Sequence, residues 1–231
     1  MKRRWQKLLK LYREVGLRRT VLQLLRMLSS YVWQRETVFI RGRIIDDQTS
    51  AGSNEPIGVS PVECMTLQFP SDIDAIEHEL PASFRDSPDR LKERLQEGCI
   101  VILACKRRKK NHGHEILGYL IAEKGVFSAL GRKRNVAPDV LYGHYIEVLP
   151  EYRRMGIANF LNQNMEEYAR GNGLRKYYSV VSTKNRIAAR TLGRKNRENL
   201  GSVERVTIMG GLYVWQTPWQ QIENILNKLD A

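Results

Sequence analysis

The sequence predicts a mixed α/β fold in which helices alternate with strands. Apolar runs of strand length recur along the chain, segments with helical spacing of apolar residues lie between them, and turn-forming residues separate the two. With 231 residues, of which 42% are hydrophobic, the chain can bury one core and a small appendage. No run reaches the roughly twenty apolar residues that span a bilayer, and no signal-peptide pattern is present. We therefore expect a cytoplasmic protein.

The first 45 residues form a basic segment with helical periodicity. They hold twelve Lys and Arg but two Glu, a net charge of +10, so the other 186 residues account for only +3 of the total of +13. Apolar residues recur three and four positions apart on both sides of Gly16, which predicts two short amphipathic helices. A short strand is predicted at 37–40. Residues 46–60 have the composition of a linker.

The body of the chain, residues 61–231, is predicted to be one domain. Strands are predicted at 62–67, 99–105, 116–122, 141–148, 177–181, 203–209 and 212–215. Helices are predicted at 71–80, 88–98, 157–170, 185–197 and 218–229. Residues 106–115 form a polar hairpin loop, and a loop with three consecutive basic residues precedes the strand at 141–148.

Metal binding and thiol chemistry find little support in the sequence. The three cysteines, Cys64, Cys99 and Cys105, lack metal-ligand spacing and lie in apolar, strand-like runs, where Cys behaves as a small hydrophobe. The His112–Glu115 stretch could supply metal ligands, but the Lys and Arg residues around it would repel a cation. We expect no metal site.

The most informative stretch runs from His144 to Ala158. A strand ends at Val148, Pro150 stops the ladder, and a tight turn with Arg153 and Arg154 feeds a helix. Gly156 allows a ligand to approach the backbone closely. The unpaired N–H groups at a helix start, together with the helix dipole, suit a pyrophosphate. The alternative is a plain strand–turn–helix joint with surface arginines.

This stretch resembles motif A of the GNAT N-acetyltransferases, in which Val-x-Pro-x-Tyr-Arg is followed by Arg-x-x-Gly-x-Gly/Ala. Here the residues are Val148 to Arg153, overlapping Arg153 to Ala158. The resemblance extends from about residue 60 to the C-terminus. It implies a GNAT-like fold with a central, mostly antiparallel, twisted sheet flanked by helices and splayed where acetyl-CoA enters, with an amphipathic helical extension at the N-terminus.

The resemblance also implies direct acyl transfer from acetyl-CoA, or a related acyl-CoA, to an amine. The cofactor-binding residues would be Val148, Arg153, Arg154, Met155, Gly156, Ile157, Ala158 and Asn185. The turn amides would hold the pyrophosphate, and a backbone N–H near Val148 would polarise the thioester carbonyl. Asn185 matches an Asn that the family often has at the next strand–helix junction.

The acid and base are less well defined. Where the family has a Tyr that acts as the acid, this chain has Leu192. Ser182, Tyr177, Tyr178 or solvent would then protonate the thiolate. Glu147 is the first candidate for the base and His144 the second, and strand alternation would put them on opposite faces. Each has a structural alternative: a solvated charge for Glu147 and a histidine at the sheet edge for His144.

The acceptor and the partners stay open at this point. The acceptor is expected to be a primary amine of a small or envelope-related molecule, such as an amino sugar. Residues 1–35 could lie on an anionic membrane, which would make the protein peripheral on the inner face, or pack on the body or on a second subunit. Binding to nucleic acid is a third reading. The rival functions are a non-catalytic CoA-binding module and an RNA-associated protein.

Overall fold

The computed structural model describes residues 33–45, 61–108, 113–185, 198–208 and 213–229. The strands are β1 (Trp33–Ile44), β2 (Glu63–Leu67), β3 (Cys99–Arg107), β4 (His114–Lys124), β5 (Val126–Ala129), β6 (Arg132–Asn135), β7 (Val140–Val148), β8 (Lys176–Ser182), β9 (Glu198–Ile208) and β10 (Tyr213–Gln216). The helices are α1 (Pro70–Ile76), α2 (Pro88–Gln96), α3 (Ile157–Gly171) and α4 (Trp219–Leu226). None of the described helices is long and apolar enough to cross a bilayer.

Eight strands form one sheet in the order β10-β9-β1-β8-β7-β4-β3-β2, and β5 and β6 form a separate hairpin. All neighbours in the sheet are antiparallel except β7 and β8, which are parallel. The mixed α/β fold with a mostly antiparallel sheet is therefore confirmed. The parallel pair lies at the centre of the sheet. The four described helices pack on the two faces of the sheet.

Strand β1 includes the short strand predicted at 37–40 and is longer at both ends, so the last part of the segment 1–45 is a strand and not a helix. It pairs with β8 on one side and β9 on the other, so residues 33–44 belong to the same sheet as the body. Val38 and Ile40 are buried and alternate with less buried neighbours, as the period of a strand requires. The amphipathic helices predicted at residues 1–32 and the linker predicted at 46–60 lie outside the described residues.

The sheet separates two layers of side chains. Helix α3 covers one face with Ile157, Leu161, Met165 and Ala169 against β3, β4 and β7. We call this the α3 face. The opposite face is covered over β2–β4 by α1 and α2, and over β1, β8 and β9 by the β5–β6 hairpin and α4. Strand alternation explains this division, since adjacent residues of one strand enter opposite layers.

Local capping explains where the helices begin. Pro88 stands at the first turn of α2, and the Ser87 hydroxyl accepts the backbone N–H of Arg90 at 3.3 Å. Helix α1 begins at Pro70, one residue earlier than predicted. The Asp72 carboxylate accepts the N–H groups of Gln68 and Phe69 at 2.8 and 2.9 Å.

The β5–β6 hairpin replaces a predicted loop. Strand β6 is polar throughout, so its residues show no apolar alternation that would predict a strand. Phe127 anchors the hairpin, because its fully buried ring packs edge-on against Tyr142 and Tyr178 and tilted against Trp219. The helix predicted at 185–197 falls almost entirely on residues 186–197, which lie outside the described residues.

Candidate active site

The two parallel strands at the centre of the sheet separate partway along their length. Val140 to Gly143 of β7 pair with Lys176 to Ser179 of β8. Beyond these pairs β7 continues to Val148 against β4, and β8 continues to Ser182 against β1. The sheet is therefore splayed between β7 and β8. Residues 144–148 of β7 therefore have an edge that is not paired with β8.

The turn that follows β7 opens at the wide end of the splay. Arg154 and Gly156 have left-handed backbones, with φ of 69° and 85°, while Met155 between them does not. Alternating backbone handedness directs successive N–H groups into one concavity, which is an anion-binding arrangement. Gly156 is the N-cap of the 15-residue helix α3 and no side chain caps it. The first N–H groups of α3 therefore point to the same place with the positive end of the dipole.

The structure divides the predicted cofactor residues into backbone and side-chain contributors. The Arg153 side chain donates its Nε to the Val148 carbonyl at 3.1 Å, so it fastens the end of β7. The Ile157 side chain is buried in the core, and Met155 and Val148 pack against the same cluster. These four residues can therefore meet a ligand mainly through their backbones. Arg154 is exposed beside the turn and can supply charge.

Asn159, in the first turn of α3, provides an independent test of this site. Its Oδ1 is buried and has no hydrogen-bond partner among the described residues. A buried acceptor without a donor costs free energy, roughly 1–3 kcal/mol. The pantetheine arm of CoA carries amide N–H groups that can satisfy such an atom. Together with the concavity at 154–158, this acceptor makes the residues present fit a CoA thioester.

A β-bulge places His144 at the start of the splay. Ile121 pairs with Tyr145 and Ala122 with Gly143, so His144 is the extra residue in β7. Its Nε2 lies 2.9 Å from Glu123 Oε2, and its ring packs edge-on against Tyr142 at 4.7 Å. Burial lowers the pKa of His144 below its ordinary value, and the Glu123 carboxylate partly opposes this effect.

The bulge also corrects the expectation that His144 and Glu147 lie on opposite faces. His144 contacts Glu123, and Glu147 pairs with Tyr119. Glu123 and Tyr119 are four residues apart on β4 and share one face of the sheet. Both candidate bases therefore lie on the face opposite α3, because the extra residue reverses the alternation between them.

Glu147 is tied to the loop that joins α1 and α2. Its Oε2 accepts the backbone N–H of Arg85 at 3.0 Å, and the Arg85 guanidinium lies over the Tyr145 ring at 5.0 Å. Beside it, the Tyr119 hydroxyl donates to the buried Asp86 carboxylate at 2.9 Å. Burial, first of all, raises the pKa of Tyr119. Glu147 thus takes part in the network that positions this loop.

Of the predicted site residues, Ser182 is the last residue of β8 and Asn185 follows it three positions later. Ser182 Oγ accepts the N–H of Lys184 at 3.3 Å, and the N–H of Asn185 donates to the Ser182 carbonyl at 2.9 Å. Both residues thus stand at the wide end of the splay on the β8 side. The Leu192 position lies outside the described residues.

The two tyrosines considered as acids point into the protein. The Tyr177 hydroxyl lies 3.5 Å from Asn162 Oδ1 under α3, and the Tyr178 hydroxyl donates to the Leu226 carbonyl at 2.8 Å. Both tyrosines are buried. Their environments favour Ser182 or solvent over either phenol as a proton donor to a thiolate.

Sequence reasoning missed two charged residues that meet at His144. Glu123 follows the buried apolar run of β4 and is itself buried, and Lys133 on β6 contacts its second oxygen at 2.7 Å. An acid that directly extends an apolar strand is the signal that could have drawn attention to Glu123. Cys99, Glu123 and His144 also bring three potential metal-ligand atoms within 4.8 Å of one another, which the expectation of no metal site did not foresee.

Known proteins with related folds match this chain at low sequence identity. A Drosophila protein is 17% identical, covering 85% of this chain and 59% of its own, with a TM-score of 0.45. A GCN5-related N-acetyltransferase from Sphaerobacter thermophilus is 14% identical, covering 80% and 56%, with a TM-score of 0.48. The aminoglycoside N-acetyltransferase AAC(6')-Iy in complex with CoA is 17% identical, covering 59% and 90%, with a TM-score of 0.42. This chain thus spans less than two thirds of the first two proteins.

The sequence matches the model of one protein family over most of the region that contains the candidate site. No curated protein matches the sequence significantly. The acetyltransferase (GNAT) family matches residues 67–195, which is more than half of the 231 residues and includes β7, the turn and α3. The chain therefore belongs to the GNAT acetyltransferase family.

Proposed function

We propose that this protein transfers an acetyl group from acetyl-CoA to the primary amine of a small molecule in one direct step. The single observation that carries the proposal is the left-handed turn at 154–156 before α3, which follows the part of β7 that is no longer paired with β8. A diphosphate bound there would place its attached arm along the splayed part of β7. Membership of the family supplies the reaction type.

Direct transfer requires an activated carbonyl and a proton acceptor. Between His144 and Val148, β7 pairs with β4 but not with β8. N–H groups on this open edge can polarise the thioester carbonyl and stabilise the oxyanion that forms on attack. Val148 itself, the residue expected to do this, lies at the end of the open edge nearest the anion site. Turnover with acetyl-CoA and with longer acyl-CoA thioesters distinguishes the acyl group that is transferred.

The acceptor is proposed to enter from the face opposite α3. His144 and Glu147 lie there, and Glu147 fixes the loop between α1 and α2 beside them. The first compounds to test are amino sugars of the cell envelope, followed by other small primary amines. Aminoglycosides belong in the same panel.

Calorimetry with acetyl-CoA tests the binding half of the proposal. Gly156→Val forces a β-branched residue into a left-handed backbone and covers the N–H groups of the turn. We expect the Kd for acetyl-CoA to rise at least about tenfold, which corresponds to about 1.4 kcal/mol. Gly171→Ala at the other end of α3 is the matched control, since a Cβ there meets nothing within 4 Å. Equal affinity in the two variants would refute the site.

A thiol-release assay with the amine panel tests the catalytic half. Turnover with one amine class, lost in Gly156→Val and kept in Gly171→Ala, is the expected result. Tight binding of acetyl-CoA without release of thiol from any amine would instead identify a CoA-binding module. RNA affinity that falls steeply with salt, without CoA affinity, would identify an RNA-associated protein.

The basic segment at the N-terminus is proposed to dock the enzyme on an anionic membrane surface or to associate with a second copy. Its charge and periodicity support this, and strand β1 sets the end of the segment near residue 32. Cosedimentation of the full chain, but not of residues 33–231, with phosphatidylglycerol vesicles would support membrane docking. A mass difference by light scattering between the same two proteins would support self-association.

A further inference from the structure

Glu123 is a buried carboxylate that the apolar core does not require. It is 6% exposed near the end of β4, where the preceding residues pack into the core and the following residue, Lys124, is exposed. Its Oε1 meets the Lys133 ammonium at 2.7 Å, and its Oε2 meets His144 Nε2 at 2.9 Å and Cys99 Sγ at 3.9 Å. Burying a charge is costly unless it is paired. The charge of Glu123 is therefore compensated by the Lys133 ammonium, and its second oxygen is available to orient His144.

Glu123 determines which nitrogen of His144 carries the proton. An ionised carboxylate only accepts hydrogen bonds, so the Nε2 that faces it must be the protonated nitrogen. In the neutral ring the lone pair is then on Nδ1. Burial is the main cause that lowers the pKa of His144, and this favours the neutral ring. The ring thus has a proton acceptor of defined position.

The position of His144 in the sheet connects it with the proposed reaction. It is the bulge residue of β7 and the first residue beyond the pairs with β8, at the point where the splay opens. Its side chain is 21% exposed, so it reaches solvent from a largely buried position. Tyr142 packs edge-on against the ring at 4.7 Å and restricts its rotation.

We propose that His144 Nδ1 is the base that takes the proton from the attacking amine, and that Glu123, held by Lys133, is the positioning residue that fixes its tautomer. This inference rests on the proposed function and names the group that performs its proton transfer. Glu147, tied to the Arg85 backbone, then serves the structure of the loop.

The step balances with these groups alone. The amine nitrogen, as the free base, forms the bond to the acyl carbon with its lone pair. The extra proton of that nitrogen passes to His144 Nδ1. The C–S bond breaks, its electron pair leaves on sulfur, and solvent protonates the thiolate. His144 returns its proton to solvent, so the products are an amide and CoA thiol.

The charges around His144 predict the direction in which each substitution shifts the pKa of His144. The groups that face it are Glu123 on β4, Lys133 on β6, Arg94 on α2, and Cys99 and Tyr142 on β3 and β7. Glu123 raises the pKa of His144, whereas Lys133 and Arg94 lower it. A base is active when deprotonated, so turnover falls on the acid side as pH drops through this pKa.

Kinetics as a function of pH provide the first readout. We expect His144→Gln to lower kcat at least about 100-fold with the Kd for acetyl-CoA unchanged. Glu123→Gln should also lower kcat and move the acid limb of the profile to lower pH, because a raising charge is lost. Lys133→Met should move the acid limb to higher pH. Lys124→Met, an exposed lysine on β4, is the matched control and should leave the profile unchanged.

Nitrogen-15 NMR of the histidines in the unliganded protein provides the second readout, with His144→Gln assigning the signal. The expected result is an Nε2-protonated ring that titrates below its ordinary range, shifted down by Glu123→Gln and up by Lys133→Met. An Nδ1-protonated ring, or a pKa indifferent to both substitutions, would overturn the proposal. So would full turnover in His144→Gln, or activity that is lost on chelation and restored by Zn²⁺ bound at Cys99, Glu123 and His144. If the unsubstituted protein did not bind acetyl-CoA, the proposed function would be refuted instead. The NMR result would still decide the tautomer of His144.

Discussion

Gly118 on β4 lies closer to the neighbouring strand than a side chain would permit. A Cβ built there would lie 2.5 Å from the Glu147 carbonyl oxygen and 3.2 Å from Val148 Cα. Both atoms belong to the backbone of β7, which is held on its other side by the hydrogen bond from Arg153. The strand that lines the proposed site therefore depends on a residue without a side chain on its neighbour.

We expect Gly118→Ala to destabilise the protein by about 1–3 kcal/mol, the usual cost of forcing atoms into a packed interior. Urea denaturation followed by circular dichroism measures the change. Gly171→Ala is again the control, since the space around it is open. A neutral result for Gly118→Ala would mean that β4 and β7 can move apart without loss.

At the level of single residues, the sequence predicted the turn and the helix start at 154–158 but not the surroundings of His144. The site at 154–158 depends on a local pattern, in which a strand, a proline, two arginines and a glycine follow one another. The surroundings of His144 depend on Glu123 and Lys133, which come from other strands, and on a bulge that has no sequence signature. Pairings between distant residues cannot be read from local spacing.

One ion pair joins the first described strand to helix α3. Arg43 on β1 donates to Glu166 on α3 at 2.9 Å, and the two side chains are only 18% and 13% exposed. Removing one partner leaves a charge in a largely buried place, which costs more than losing a surface pair.

We expect Glu166→Gln to lower the free energy of unfolding by about 1–3 kcal/mol. The pair of Arg175 and Asp139 is the comparison, since the Arg175 side chain is 77% exposed and Arg175→Met should cost less. Both values come from urea titration at neutral pH. Similar losses in the two variants would contradict the role given to burial.

The β5–β6 hairpin is the element that the sequence did not reveal. Each of its two strands has four residues. Phe127 holds the hairpin against the sheet, because its ring packs against three other aromatic rings. The helices α2, α3 and α4 were predicted because their caps and periodicity are local. A short polar strand becomes visible only once its packing partners are known.

We expect Phe127→Ala to destabilise the protein by about 3–5 kcal/mol, as large cavities do. Because β6 carries Lys133, the same substitution should also raise the pKa of His144 by moving the ammonium away. The thermal midpoint and the NMR titration of the variant measure the two effects. Phe127→Leu, which retains most of the packing volume, is the milder control.

At the scale of the whole molecule, β1 makes the chain from residue 33 onward one structural unit. The strand has neighbours on both sides. Deleting it would leave β8 paired only with β7, at Lys176–Ser179, and β9 paired only with β10, at Arg205–Ile208. The sequence correctly predicted the class of fold and a mostly antiparallel sheet. The strand predicted at 37–40 is part of β1, but its place between β8 and β9 depends on residues distant in sequence and could not be predicted from local spacing.

Two truncated proteins test whether β1 is required for folding and whether the residues before it are not. Residues 33–231 keep every described strand, so we expect cooperative thermal unfolding and acetyl-CoA affinity similar to those of the full chain. Residues 46–231 lack β1, and we expect aggregation or a non-cooperative melt, because two inner edges of the sheet become exposed. Cooperative unfolding of the shorter protein would show that β1 is dispensable.

The position of β1 also has a consequence for biosynthesis. The Thr183 hydroxyl bonds to the Thr37 carbonyl across 146 positions of sequence, and β9 arrives later still. A ribosome therefore releases β1 long before either of its neighbours exists, and contacts of such long range close slowly. Until the last quarter of the chain emerges, this strand offers two bare hydrogen-bonding edges, which is the state that molecular chaperones protect. Ribosome-stalled chains that end before residue 176 should accordingly be protease-sensitive around β1, and chains in which an added C-terminal linker carries residue 208 out of the ribosomal tunnel should be protected.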